Sequence, residues 1–216
     1  MNMIVHLLNY AATHSNAKVR FHRSGMVLHV HSDGSYLSVS KARSRVGGFY
    51  FLSDKSINPE KAKSNGAVHV LSTILRNIMS SAAEAEIAAT FDNAKEAIPL
   101  RHTLKFLGHD QPPTPIQVDN TTAVNFSHRT LKQKRSKSID MRFYWLQDRS
   151  LQGQFNIYWY PGSHNLGDYL TKHFSTKDYI EKRPLYLFEP TTVINMIFKN
   201  ITNDRTSFIC KGVIKA

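Results

Sequence analysis

The sequence contains one cysteine, Cys210, among 216 residues. A single thiol cannot form an internal disulfide framework or supply the paired cysteines of a zinc finger, and it is compatible with a reducing compartment. The chain also lacks any run of 18 consecutive apolar residues, and its first twenty residues have no basic region leading into a long apolar stretch. We therefore predict neither a membrane span nor a secretion signal, and no membrane among the partners.

Acidic residues are scarce, because 16 Asp and Glu stand against 28 Lys and Arg, for a formal net charge of +12. An excess of this size favours a polyanionic partner, and nucleic acid is the first candidate. Hydrophobic residues make up 41% of the chain and aromatic residues 11%. These values exclude a disordered or fibrous protein and suit one folded domain with appendages.

Three segments with alternating apolar residues predict strands at 26–33, 43–54 and 66–74. Polar residues that include Asn65-Gly66, a common turn pair, separate the second from the third. Three sequential strands of this kind predict an antiparallel meander.

The longest predicted helix begins at SSAAEAEIAATFDNAKEAI, which opens with serines suited to an N-cap and is rich in Ala and Glu. Pro99 should kink or divide this helix, and Gly108 should end it. Two further strands are predicted at 115–120 and 155–162. Further helices are predicted at 121–127, within 132–153 and at 165–175, which gives an α/β protein with the order βββαβαβα.

Four acids occupy comparable places in this order. Asp33 and Asp119 end the first and fourth strands, Glu86 lies in the first turns of the long helix, and Asp168 opens the last helix. If the first and fourth strands are adjacent and parallel, their carboxyl ends bring the two strand-end aspartates together. Crowded carboxylates repel each other, so some hold protons or a divalent cation such as Mg²⁺ neutralises them. Two such ions, about 3.5–4 Å apart, would support hydrolysis of a phosphodiester.

Each acid also has an ordinary structural interpretation. Asp33 in DGS suits a turn, Asp119 suits the N-cap of the next helix, and Asp168 suits a helix N-terminus. Glu84 and Glu86 both suit a solvated helix surface. Only the four acids together indicate a catalytic site.

Helical register favours Glu86 over Glu84 as the helix's contribution. Glu86 lies on a stripe of Ala and Leu residues at three- and four-residue spacings, whereas Glu84 is about 200° round the helix. The two side chains cannot point into one site. Pro99 interrupts the stripe, so the choice between them stays open.

The motifs SDGS, AEAEIAA, QVDN and NLGDYLTK, in this order, resemble the ribonuclease H domain of reverse transcriptases from copia-type LTR retrotransposons. The resemblance extends from about Met26 to Ser175 and includes KQKRSKSIDMRFYWLQDR. It implies a ribonuclease H-like fold, with a mixed five-stranded sheet flanked by helices. It also implies three parts: the end of an upstream connecting segment at 1–24, the domain at 25–176, and a tail at 177–216 without an assigned role.

The resemblance further implies an endonuclease that cuts the RNA strand of an RNA/DNA hybrid during reverse transcription. By motif, Asp33, Glu86, Asp119 and Asp168 fall on the family's catalytic, metal-binding acids, which hold two Mg²⁺ ions that Mn²⁺ can replace. The implied partners are the hybrid and the polymerase domain of the same polyprotein. The implied location is intracellular, in a cytoplasmic retrotransposon particle.

The loop before the last acid departs from the pattern of cellular relatives, which carry a histidine there. In this chain Ser163 stands at that point and His164 follows one residue later. His164 is thus a candidate proton shuttle, with an ordinary loop residue as the alternative.

The segment 129–149 carries seven basic and two acidic side chains. Phosphate contact is the functional interpretation, and a solvated helix face is the structural one. The predicted phosphate contacts are Lys132, Lys134, Arg135, Lys137 and Arg142. Gly34, Ser35 and Asn120 are candidates for contact with the 2′-hydroxyl groups of the hybrid.

Two other classes of protein stay open. A catalytically inactive nucleic-acid-binding module, from a decaying copy of an element, would use the same sheet and basic helix without turnover. An integrase- or transposase-like strand-transfer enzyme would use a similar acid cluster. The fourth acid and the absence of a His/Cys zinc arm from the sequence argue against that last class.

Overall fold

The structure is a computed structural model that describes residues 2–121, 124 and 137–188. The described residues fall into two compact units, one of residues 21–182 and the other of residues 2–20 together with 183–188. The smaller unit contains helix α1 (Asn2–Thr13) and a backbone bridge between Lys18 and Phe188. Among the described residues, no helix combines the length and the hydropathy needed to cross a membrane.

The larger unit is built on a five-stranded sheet with the strand order β3-β2-β1-β4-β5. The strands are β1 (Val27–Val39), β2 (Arg43–Ser53), β3 (Ala67–Ile74), β4 (Thr114–Val118) and β5 (Phe155–Trp159). The β1–β2 and β2–β3 pairs are antiparallel, whereas the β1–β4 and β4–β5 pairs are parallel. The mixed five-stranded sheet predicted from the sequence is confirmed.

The helices of this unit whose bounds fall within the described residues are α2 (Ala82–Phe106), α3 (Lys137–Leu151) and α4 (Thr176–Lys182). The main hydrophobic core joins α2 and α3 to the four strands β1, β2, β4 and β5. Its members include Leu28, Val30, Ile116 and Ile157, all at most 1% exposed. Burying a side chain of this size stabilises the fold by about 1.5–3 kcal/mol, so the centre of the sheet is held firmly.

Helix α2 begins as its sequence predicts. The Ser81 hydroxyl caps the helix by accepting a hydrogen bond from the backbone N–H of Glu84 at 3.1 Å. The helix continues through Pro99 without a break, so the predicted division did not occur. Proline removes one backbone donor, but buried Ala97 and Leu104 pack both halves of the helix into the same core. Gly108, with φ +87°, follows the C-terminus as predicted.

The DGS motif does not form a turn. Asp33 and Gly34 lie inside β1, paired with residues of β2, and the hairpin instead turns at residues 40–42. Lys41 and Ala42 have positive φ values there, of 62° and 52°. The strand is longer than predicted because β2 continues to pair with it beyond the motif. Pairing with β4 reaches only His31, so Asp33 still lies past the carboxyl end of the parallel part of the sheet.

The predicted helix at 165–175 is wrong. That segment contains a short 3₁₀ turn at Asp168–Leu170, and the following α-helix begins only at Thr176. Hydrogen bonds to β1, described below, hold the segment in this irregular form. The predicted helix at 132–153 is present as α3, which ends before Gly153 at φ +70°. The basic arm at 132–136 and most of the predicted helix at 121–127 lie outside the described residues.

Candidate functional site

Three aspartates meet at the carboxyl ends of the central parallel strands. Asp33, Asp119 and Asp168 each offer a carboxylate oxygen, and these oxygens lie within 4.8 Å of one another. The first comes from β1, the second follows the last residue of β4, and the third comes from the 3₁₀ turn after β5. Asp33 is 0% exposed, and the other two are partly buried. Parallel pairing of β1 and β4 brings the first two together, as the sequence predicts.

Glu86 lies beside these aspartates. Its Oε1 accepts a hydrogen bond from the backbone N–H of Gly34 at 3.2 Å, while its Oε2 is buried without a hydrogen-bond partner among the described residues. Helix α2 can come so near because a Cβ at Gly34 would lie 2.8 Å from the carbonyl oxygen of Ala85. The glycine after Asp33 is therefore needed for close packing of β1 on α2.

Glu84 has a different position, although it is only two residues away. Its Oε2 accepts hydrogen bonds from the backbone N–H of Ser80 at 2.7 Å and from the hydroxyl of that residue at 2.6 Å. It thereby stabilises the start of α2 and does not face the aspartates. The structure places Glu86 beside the cluster, in agreement with the helical register.

Burial and mutual repulsion keep protons on this cluster. Burial raises the pKa of Glu86 to about 9, and the charges of Asp33 and Asp119 add to the rise. Burial also raises the pKa of Asp33, to about 6, against the opposing charge of Lys172. The pKa of Asp119 is raised as well, chiefly by burial. At neutral pH the ion-free site cannot carry four full negative charges.

Lys172 is a member of the site that the sequence analysis missed. Its Nζ lies 2.6 Å from Asp168 Oδ1 and 3.4 Å from Asp33 Oδ1. Burial alone would lower the pKa of Lys172, but the carboxylates, that of Asp33 first, outweigh it and raise the pKa. The neighbouring Thr171 hydroxyl donates a hydrogen bond to Asp33 Oδ2. The four-residue spacing from Asp168 in GDYLTK was the available signal, although the contact with Asp33 required the fold.

Hydrogen bonds fix the turn that carries Asp168 against β1. Asn165 donates from Nδ2 to the carbonyl of Ser32 at 2.7 Å, and its Oδ1 accepts from the backbone N–H of Gly167 at 2.9 Å. The backbone N–H of Leu166 donates to Nδ1 of His31 at 3.1 Å. Burial, followed by the charge of His29, lowers the pKa of His31 to about 3, so this ring stays neutral and can accept the bond.

Two consecutive glycines in β2 make room for the site on opposite faces of the sheet. A Cβ at Gly47 would lie 2.6 Å from the carbonyl oxygen of Gly167, in the turn that carries the fourth acid. A Cβ at Gly48 would lie 1.9 Å from Oδ1 of Asn93 on α2. Asn93 Nδ2 in turn donates to the hydroxyl of Ser32, at 2.9 Å, so α2 is tied to the strand that bears Asp33.

The predicted substrate contacts are only partly within the described residues. Gly34, Ser35 and Asn120 lie next to the aspartates in sequence, and the Ser35 hydroxyl is 2.5 Å from that of Ser38. The side chains outside the described residues are those of Lys132, Lys134, Arg135 and Lys137. Arg142 is half-buried, with its guanidinium carbon 5.9 Å from the centroid of the Phe91 ring and Nη1 3.9 Å from Met79 Sδ.

His164 is exposed in a short 3₁₀ turn, Gly162–His164. This turn passes close to the cluster, because a Cβ at Gly162 would lie 2.8 Å from Asp119 Oδ2. The imidazole centroid is 5.1 Å from that of the Tyr160 ring. The loop thus brings His164 to the edge of the site, and no contact ties the ring to an acid among the described hydrogen bonds and ion pairs.

The residues present fit a divalent cation. All donors are carboxylate oxygens, which suit hard ions such as Mg²⁺ and Mn²⁺ better than softer metals. The unpartnered Oε2 of Glu86 and the raised pKa values of Glu86 and Asp33 indicate that these acids would lose their protons together only if a further cation bound beside them. Asp33, Glu86, Asp119 and Asp168 are the side chains able to hold it.

The strand order, the mixture of antiparallel and parallel pairs, and the helix that connects β3 to β4 define a ribonuclease H-like fold. Over 109 residues, half of this chain, the sequence is 28% identical to the retrovirus-related Pol polyprotein from transposon TNT 1-94 of Nicotiana tabacum, of which the match spans 8%. The resemblance to a retrotransposon polyprotein that the motifs indicate is thereby confirmed. No family model matches the sequence.

Solved structures with a similar arrangement include LC11-RNase H1 in complex with an RNA/DNA hybrid. That alignment has a TM-score of 0.48 and 13% identity, and it covers 67% of this chain and 93% of the other. The prototype foamy virus protease-reverse transcriptase aligns with a TM-score of 0.41 and 15% identity, covering 67% of this chain and 20% of the viral one. Because these scores are low, the fold assignment rests on the strand order and connections.

Proposed function

We propose that residues 25–176 form the ribonuclease H domain of a copia-type retrotransposon polyprotein, which hydrolyses the RNA strand of RNA/DNA hybrids. The observation that carries this proposal is the convergence of Asp33, Asp119 and Asp168 within 4.8 Å, with Glu86 beside them. The match to a retrotransposon polyprotein supports the same conclusion. The corresponding location is a cytoplasmic particle of such an element.

Asp33, Glu86, Asp119 and Asp168 would hold two Mg²⁺ ions, which Mn²⁺ can replace. When bound, such a pair supplies an activated water and stabilises the oxygen that leaves phosphorus. Hydrolysis joins the oxygen of water to phosphorus while the bond to the leaving oxygen breaks, and a proton reaches that oxygen. His164, on the loop beside Asp119, is the chain's candidate for carrying a proton.

The rigidity of the site comes from the surrounding contacts. The indole N–H of Trp159 donates to the backbone carbonyl of Asp119 at 3.0 Å, which fixes the end of β4. Asn165 fixes the turn of Asp168 to β1 in the same way. Groups held by packed neighbours need little reorganisation when substrate arrives, which favours catalysis.

The proposed substrate is recognised by shape. An RNA/DNA hybrid presents 2′-hydroxyl groups across a wide minor groove, and Gly34, Ser35 and Asn120 are next to the acids that would cut it. The basic segment 129–149 would contact phosphates, so binding should weaken as salt is added. The polymerase domain of the same polyprotein is the proposed protein partner.

A cleavage assay tests the proposal. Purified protein is incubated with a hybrid labelled on the RNA strand, in Mg²⁺ or Mn²⁺, beside the variant Asp119→Asn. The matched control is Asp110→Asn, which removes the same charge from an exposed position. We expect the RNA strand to be cut by the wild type and the control and left intact by Asp119→Asn. Salt-sensitive binding without cleavage would indicate the inactive binding module, and joined DNA products would indicate strand transfer.

A further inference from the structure

Lys172 lies on two of the acids that are proposed to bind metal. Its ammonium group contacts Asp168 Oδ1 at 2.6 Å and Asp33 Oδ1 at 3.4 Å. The proposed hydrolysis gives this cation no task. Its position is nevertheless where a positive charge has the largest effect on the aspartates, because Coulomb energy rises steeply at short distance and partial burial.

The backbone places Lys172 there. Its N–H donates to the carbonyl of Asp168 at 3.0 Å, which closes one helical turn and sets the two side chains side by side. The preceding residue, Thr171, donates to the other carboxylate oxygen of Asp33. Consecutive residues of one turn therefore engage both oxygens of the buried Asp33.

The contact is also able to open. The Lys172 side chain is 41% exposed, whereas that of Asp33 is 1% exposed. A long, flexible stem with one side in solvent can swing its ammonium group away, while the aspartate has to stay in place. A divalent ion on the same carboxylates would repel the ammonium group and compete with it for their oxygens.

We propose that Lys172 is an intramolecular counter-ion that balances the metal-free cluster and leaves the carboxylates when a divalent metal binds. This inference rests on the proposed function, because it needs the acids to be a metal site. Lys172 is then a positioning residue for Asp33 and Asp168, and it lowers the affinity of the site for metal. Without it, metal would bind more tightly to a less stable apo protein.

The sign of this effect separates the proposal from a purely structural role. If Lys172 only shaped the turn, its loss would disorganise the carboxylates and weaken metal binding. If it competes with metal, its loss strengthens metal binding although the metal-free protein becomes less stable. The two quantities then move in opposite directions.

The experiment measures Mn²⁺ binding to the full chain without nucleic acid, from the electron paramagnetic resonance signal of free Mn²⁺. Lys172→Met is compared with the wild type, and Lys177→Met is the matched control, since Lys177 is exposed on α4. We expect the dissociation constant for Mn²⁺ to fall about tenfold in Lys172→Met, because a positive charge that repels the metal ion at short distance is removed. The dissociation constant should stay unchanged in the control. Lys172→Gln is the second neutral variant, for use if the first does not fold.

Thermal unfolding provides the companion readout. Without metal, Lys172→Met should unfold at a lower temperature than the wild type. Saturating Mn²⁺ should raise the unfolding temperature of Lys172→Met by more than it raises that of the wild type. An unchanged or larger dissociation constant in the neutral variants would overturn the inference. If the wild type still binds Mn²⁺ and Asp119→Asn loses it, the proposed metal centre survives that failure. Absence of Mn²⁺ binding by the wild type would overturn both.

Discussion

Residues 27–35 of β1 divide into two halves that are both largely buried and differ in chemistry. Residues 27–30 contribute Leu28 and Val30 to the main core, whereas residues 31–35 are largely polar and include Asp33 at 0% exposure. Burying apolar groups stabilises a fold, but burying a carboxylate costs free energy unless a cation or donors compensate. The first half therefore serves stability, and the second half is maintained for the site.

The largest effect should come from replacing the acid in the polar half. Asp33→Asn removes a carboxylate from the centre of the cluster, and we expect the rate of hybrid cleavage to fall by a factor on the order of 10³. Cleavage of a labelled hybrid measures this rate, with Asp110→Asn as the exposed control. Circular dichroism should show a folded variant, because the amide has nearly the shape of the acid. Retained cleavage in Asp33→Asn would remove this residue from the catalytic set.

A substitution beside the apolar half of β1 should lower the stability of the fold and leave the site intact. Ile116→Ala, opposite Val30 in the parallel pairing, leaves a cavity in the main core. We expect a loss of about 2–5 kcal/mol in the free energy of unfolding, measured by urea denaturation. Below the temperature of unfolding, the variant's affinity for Mn²⁺ should stay near that of the wild type. A loss of metal affinity without a loss of stability would contradict the division between the two halves.

The buried acid on α2 should make the metal-free protein sensitive to pH. The pKa of Glu86 is raised to about 9 from 4.5, so between these values the folded chain binds more protons than the unfolded chain. Stability therefore falls as pH rises through this window. Glu86→Gln should remove most of that slope above about pH 6, the raised pKa of Asp33, and stabilise the metal-free protein at pH 7 by about 1–3 kcal/mol. Urea denaturation at pH values from about 5 to about 9, in steps of about one unit, measures how the free energy of unfolding depends on pH. An unchanged slope in Glu86→Gln would disprove the role of Glu86 burial.

Glu84 provides the matched comparison and the smallest expected effect. It is 9% exposed and Glu86 is 7% exposed, so burial alone does not distinguish them. Because Glu84 stabilises the start of α2 through Ser80, Glu84→Gln should lower stability by about 0.5–2 kcal/mol and leave hybrid cleavage intact. Denaturation and the cleavage assay check the two parts. If Glu84→Gln abolished cleavage in a folded protein, the assignment of Glu86 would be wrong.

Local patterns in the sequence were sufficient for much of the fold. Alternating apolar residues and turn pairs located the five strands, and the serines before an Ala- and Glu-rich segment located the start of α2. The proximity of Asp33 and Asp119 could be predicted because the carboxyl ends of neighbouring parallel strands lie at one edge of a sheet. Helical register then separated Glu86 from Glu84.

Contacts between distant segments were not accessible in the same way. Lys172 reaches Asp33 across 139 positions, and Asn165 reaches Ser32 across 133, so neither contact leaves a local pattern. The helix predicted at 165–175 failed for the same reason, because bonds to β1 outweigh its intrinsic preference. The turn that DGS also suited is not formed, because pairing with β2 extends the strand. Gly47 followed by another glycine was a visible signal, but its meaning depended on the turn packed against it.

The most direct test of the central claim is the anomalous diffraction of a crystal soaked in Mn²⁺. We expect two manganese peaks at the cluster, in contact with carboxylate oxygens of Asp33, Glu86, Asp119 and Asp168, and we expect the Lys172 side chain to be turned away from them. Manganese bound only elsewhere on the protein, or no peak between these side chains at saturating Mn²⁺, would contradict it.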